Sequence, residues 1–179
     1  MLSRLFGRWR TSNQDVVDRL YERIVAAARQ PAFYSHWSVP DSPLGRFEML
    51  SLHMFLFLHR CRGDGAVLRD IAQQLTDEFF TDVDHSLREL GIGDTGVPKR
   101  MKKLAKMFYG RAQAYGEALD AGDAAALARA LARNVLPETA EWPEAALLAA
   151  YVMEANSALS AQPAEEIAAG RVEFPSRAD

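Results

Sequence analysis

Between Leu44 and Cys61 the chain carries Met49, Leu50, Leu52, Met54, Phe55, Leu56, Phe57 and Leu58, which leave almost no polar face at helical periodicity. A helix that is apolar all round must be covered on every side, by lipid or by the rest of the protein. Crossing a bilayer takes about twenty apolar residues. The run Phe47–Leu58, bounded by Arg46 and Arg60, falls well short of that. It therefore predicts the central helix of a bundle, opened by Asp41-Ser42-Pro43 and stopped by Gly63-Asp64-Gly65.

The remaining sequence supplies the surrounding helices. Asp15–Arg29 places Val17, Leu20, Ile24 and Ala28 on one face, with Asn13 as a cap and Pro31 past the end. Pro31 to Pro43 holds three prolines with Phe33, Tyr34 and Trp37, and predicts an ordered loop that tucks rings over the core. Ala66–Phe80 sets Val67, Leu68, Ile71, Leu75 and Phe79 on one side, and Thr81–Leu90 reads as a separate short helix opened by acids. Gly91 to Gly96 breaks the chain, Pro98 suits the first turn of a helix running to about Ala121, and Ala124–Asn134 follows until Pro137. Pro143 opens a last long helix, roughly Glu144–Leu159.

Period-two alternation is confined to a possible Arg171–Phe174. The fold class is all-α, a single-domain helical bundle around a central hydrophobic helix. It divides into a basic N-terminal segment (1–12), a helical domain (13–162) and a frayed C-terminal tail (163–179). A chain of 179 residues buries enough apolar surface to fold without disulfides or metals. Cys61 is the only cysteine, which fits a reducing compartment, and no secretory signal is evident at the start.

His53, His59 and Cys61 lack the spacing of a zinc site, and no Cys-x-x-Cys pair exists. His53 reads as a hydrogen-bonded core histidine. Asp82, Asp84 and Ser86 resemble the start of a calcium loop, but Leu87 stands where glycine is needed and Gly93 where glutamate is needed. Gly91-Ile92-Gly93-Asp94-Thr95-Gly96 lacks the lysine of a phosphate loop and follows a helix instead of a strand. No motif makes His36, His53 or His59 a haem ligand. No catalytic residue, metal or cofactor is expected.

Charge is more informative. Residues 86–111 hold seven basic side chains against Glu89 and Asp94, whereas residues 112–179 hold eleven acids against four arginines. Lys99, Lys102, Lys103 and Lys106 share one helical stripe, with Met101, Leu104, Phe108 and Tyr115 on another. Arg4, Arg8 and Arg10 stand among Leu2, Leu5, Phe6 and Trp9 in a second cationic element. An ordinary solvated face and a plain tail are the alternatives. The functional readings are an anionic membrane surface, an RNA backbone or an acidic protein patch. Two basic elements acting together favour peripheral membrane contact. No nucleic-acid motif accompanies them, and DNA is not expected as a partner.

Several phrases occur together and in order. Leu20-Tyr21-x-x-Ile24-Val25, Arg29-x-Pro31-x-Phe33-Tyr34 and Val39-Pro40-Asp41-x-x-x-Gly45-Arg46-Phe47-Glu48-Met49-Leu50 resemble the opening of the ubiquinol–cytochrome c chaperone family. Asp82-Val83-Asp84-x-Ser86-Leu87-Arg88-Glu89-Leu90-Gly91-Ile92-Gly93-Asp94, Val97-Pro98-Lys99 and Phe108-Tyr109-Gly110-Arg111 are similar to its most recognisable segment. The likeness spans about residues 16–160.

Members of that family are assembly factors for the cytochrome bc complex, and the mitochondrial ones attend newly made cytochrome b at the ribosome and inner membrane. The resemblance implies a non-enzymatic chaperone that holds cytochrome b, or another subunit of the complex, until cofactors and partners join. Without a long Arg- and Ser-rich extension before Leu20, the expectation is a bacterial-type member. It would be cytoplasmic and peripheral to the inner membrane, with the membrane surface or the ribosome as further contacts.

Phe79, Phe80, Asp82, Asp84, Arg88, Glu89, Asp94, Phe108 and Tyr109 form the expected client surface. Core packing of the rings and internal ion pairs among the charges are the plain alternatives. The rival function is a magnesium-dependent helical enzyme using Asp77, Glu78, Asp82 and Asp84, and a third is a membrane-surface adaptor.

Overall fold

Ser42 begins the central helix: its hydroxyl accepts a hydrogen bond from the Gly45 amide at 3.2 Å, and Pro43 occupies the first turn. Gly45 is required there, because a Cβ would collide with the Pro40 carbonyl. In the computed structural model, backbone is described for residues 2–139 and 141–177, and side chains for 13–139 and 141–177. Eight helices lie within them: α1 Leu2–Ala28, α2 Pro31–Ser35, α3 Pro43–Arg60, α4 Ala66–Glu89, α5 Val97–Asp120, α6 Ala124–Val135, α7 Ala145–Ser160 and α8 Ala164–Ala168.

The apolar run of α3 is enclosed as its composition demands. Met49, Leu52 and Met54 to Phe57 are all buried, and α3 packs against α1, α4, α5, α6 and α7. The fold is all-α, with no strand among the described residues. Three polar side chains, Glu48, Ser51 and His53, are buried on the same helix.

Four details differ from the sequence expectations. Helix α1 starts at Leu2 instead of near Asp15, so Asn13 lies inside it and caps nothing. Within the proline-rich segment, Pro31 starts the short α2, and Phe33 is fully buried against Trp37 and Tyr151. Ala66–Glu89 is one helix, not two. The Thr81 hydroxyl donates to the Asp77 carbonyl at 2.9 Å, which keeps it inside the helix instead of capping a new one.

The tail is also not frayed over residues 163–177. Ile167 and Val172 are buried, and the Gln162 side chain exchanges two hydrogen bonds with the backbone of Glu173. Two apolar anchors and side-chain amides hold a segment whose composition gives little sign of order.

Candidate functional site

The face that gathers the sequence candidates lies where α4 meets α5. Both helices turn apolar side chains inward here, and the rings grade from core to surface. Phe79 and Phe108 are buried with centroids 5.1 Å apart, and Phe47 stacks on Phe79 at 6.1 Å. Half-buried Phe80 sits edge-on to Phe108 at 5.8 Å. Tyr109 is 57 % exposed and lies 5.3 Å from Phe108 and 6.2 Å from Phe80. Phe79 and Phe108 therefore do not offer a surface. They are core residues supporting Phe80 and Tyr109, because neighbouring positions on a helix point about 100° apart.

The lysines stand on the outer side of α5. Lys99, Lys102, Lys103 and Lys106 are exposed, Met101 and Leu104 are half-buried beside them, and Tyr115 is buried. Spacings of three and four continue the stripe Lys99, Lys102, Lys106 directly onto Tyr109. No ion pair among the described residues engages these lysines. The result is a cationic band ending in an exposed aromatic ring.

The charged candidates on α4 have partners within the chain. Arg88 donates to Asp84 at 2.6 Å and also to Asp94, joining the end of α4 to the α4–α5 connection. Asp82 accepts from the Tyr21 hydroxyl at 2.8 Å, tying α4 to α1. Burial, then that hydrogen bond, pushes the Tyr21 phenol well above its ordinary range. Glu89 is exposed.

Asp77 is exposed at the end of a 3.0 Å hydrogen bond from Gln73. The four acids proposed for magnesium thus do not converge, and no three His, Cys, Asp or Glu side chains do so among the described residues. The side chains of Arg4, Arg8, Trp9 and Arg10 lie outside the described residues.

One pair escaped sequence reading. Glu48 on α3 meets Arg111 on α5: Nη2 donates to Oε1 at 2.6 Å, and Nε stands 2.6 Å from Oε2 without the alignment of a hydrogen bond. The Glu48 side chain is 1 % exposed and that of Arg111 12 %. Burial pushes the Glu48 carboxyl up to about 7, against the opposing pull of Arg111. The signal was present, since Glu48 is the lone acid in the apolar run and Arg111 follows Phe108-Tyr109-Gly110. Their separation of 63 positions hid the pairing. The bridge holds α5, with its lysines and Tyr109, against the central helix.

Two further titratable groups, His53 and Cys61, sit in the core. His53 is fully buried, with Nδ1 2.8 Å from the Met49 carbonyl and Nε2 2.8 Å from the Tyr151 hydroxyl. Burial lowers its pKa to about 4. The Cys61 thiol is buried and pushed up to about 11, which is wrong for a nucleophile. No helix among the described residues is long and apolar enough to cross a membrane.

The bundle thus displays a cationic and aromatic face on α4 and α5, as a helical protein with a candidate docking surface would. A profile described as the ubiquinol-cytochrome C chaperone matches residues 35–174, and the chain belongs to that family. It is similar to the ubiquinol-cytochrome-c reductase complex assembly factor 1 of Xenopus laevis, at 26 % identity over 135 residues, covering 75 % of this chain and 67 % of that one. It is also similar to the Cbp3 homolog from Brucella abortus, whose crystal structure matches with a TM-score of 0.91 and 57 % identity. That match covers 98 % of this chain and 97 % of the other. The family is one of assembly chaperones, not of enzymes.

Proposed function

We propose that this protein captures newly made cytochrome b, or another subunit of the cytochrome bc complex, on the α4–α5 face during assembly of the complex. The observation that carries the reading is the continuity of Lys99, Lys102 and Lys106 with Tyr109 and Phe80 on one exposed side of the bundle. A hydrophobic client awaiting its partners needs apolar contacts that can be made and released, and aromatic side chains supply large area at low entropic cost. The lysine band suits an anionic membrane surface, so capture takes place peripherally, at the cytoplasmic face where the client emerges. Arg88, with Asp84 and Asp94, keeps the α4–α5 connection in place beside that face.

The test is co-purification from solubilised membranes with an affinity-tagged chain. Cytochrome b should be recovered with the wild-type chain, and recovery should fall severalfold with Lys99→Glu plus Lys103→Glu and with Tyr109→Ala. Equal recovery with all three chains removes this face from the account. Recovery of ribosomal RNA in place of bc subunits assigns the lysines to the ribosome instead.

A further inference from the structure

The segment after α8 occupies a built groove. Backbone atoms of alternate residues turn toward the bundle and meet side-chain amides. Glu173 donates its N–H to Gln162 Oε1 at 2.9 Å and accepts from Gln162 Nε2 at 2.8 Å. Two residues on, the Pro175 carbonyl accepts from Gln30 Nε2 at 3.1 Å, and the Arg177 N–H donates to Gln30 Oε1 at 2.6 Å. Each glutamine thus offers one donor and one acceptor to an extended chain, as a neighbouring strand would.

Side chains point between these clamps. The Phe174 ring packs on buried His53 at 5.4 Å, while the Arg177 guanidinium lies 5.2 Å over the Tyr151 ring and pairs with Glu154. Val172 is buried, but Phe174, Pro175 and Arg177 are only half-buried, and Glu173 and Ser176 are exposed.

We infer that this groove is a second peptide-binding site. It takes an extended segment of another polypeptide carrying an aromatic residue and, three positions later, an arginine, and such a segment displaces residues 173–177. Backbone reading by Gln30 and Gln162 tolerates any sequence, so selectivity rests on the ring over His53 and the guanidinium between Tyr151 and Glu154. The segment after Val172 holds the groove closed until a competitor arrives, because its attachment gives it a high effective concentration there. The site is distinct from the α4–α5 face, and neither reading depends on the other.

The probe is a labelled peptide of residues 171–177, Arg-Val-Glu-Phe-Pro-Ser-Arg, followed by fluorescence anisotropy. A full-length Phe174→Ala, Arg177→Ala protein keeps every groove residue and weakens the attached competitor. It should bind the peptide at least about tenfold more tightly than the wild-type protein does. Adding Gln30→Ala, or replacing the peptide's own phenylalanine and last arginine with alanine, should abolish that gain. Equal affinity for the two proteins, or for the two peptides, overturns the site. A second measurement needs no variant: in the wild-type protein the Glu173 and Arg177 amides should exchange hydrogen at least about a hundredfold faster than the Tyr151 amide. Exchange at one common rate also overturns the proposal.

Discussion

Replacing Arg111 with methionine keeps much of the side-chain length and removes the charge, which leaves the Glu48 carboxyl buried without its counter-ion. Breaking a buried pair from one side typically costs about 3–5 kcal/mol, and here the cost depends on pH in a direction the structure fixes. Burial already raises the wild-type carboxyl from its ordinary 4.5 to about 7, with Arg111 opposing the rise. Removing Arg111 leaves the raising influence alone, so the folded-state value climbs further.

A group raised in the folded state contributes stability that is complete below its unfolded value and is lost as pH rises through the folded one. The loss runs at about 1.4 kcal/mol per pH unit between the two. In the wild type this loss ends near pH 7, whereas in Arg111→Met it continues above it. Near pH 5 both folded proteins hold a protonated Glu48, and the variant should lose only about 1–2 kcal/mol for the missing hydrogen bond and packing. By pH 8 the deficit should reach about 2.5–3.5 kcal/mol, and by pH 9 about 4–5 kcal/mol.

Urea unfolding followed by circular dichroism at pH 5, 6.5, 8 and 9 reads this directly. The double variant Glu48→Met, Arg111→Met should return to within about 2 kcal/mol of wild type with a flattened pH dependence. A deficit that is constant, or that shrinks as pH rises, refutes the buried-pair reasoning.

Phe108→Ala should cost about 3–5 kcal/mol in the same assay, while Tyr109→Ala should stay within about 0.5 kcal/mol of wild type and still lose client. Lys99→Glu with Lys103→Glu should leave the melting curve in place and weaken flotation with anionic liposomes by at least about tenfold at low salt. Unchanged flotation removes the lysines from membrane contact. His53 is neutral in the fold with a pKa lowered to about 4. Its contribution is therefore intact above about pH 6.5 and is lost as pH falls toward 4, by up to about 3 kcal/mol. His53→Gln should lack that acid limb, and a wild-type acid profile in the variant assigns the loss to other groups.

The central helix could be read from the sequence because its run has no polar face, and only a bundle interior accommodates that in so few residues. The lysine stripe was equally legible, since periodicity alone puts Lys99, Lys102 and Lys106 together. Phe79-Phe80 and Phe108-Tyr109 were not. Each pair sends one ring in and one out, and which does so depends on the register of α4 against α5. Thr81 and its flanking acids are residue types that favour a helix start, yet the Thr81 hydroxyl bonds back to Asp77 and the helix continues. The order of residues 171–177 comes from Gln30 and Gln162, whose roles as backbone clamps carry no local sequence signal.

The claim that this chain serves assembly of the bc complex is tested most directly by deleting its gene and measuring spectroscopic cytochrome b together with assembled complex in the membranes. Both should fall, the wild-type chain should restore them, and Lys99→Glu with Lys103→Glu should not. Normal levels of both in the deletion strain would contradict it.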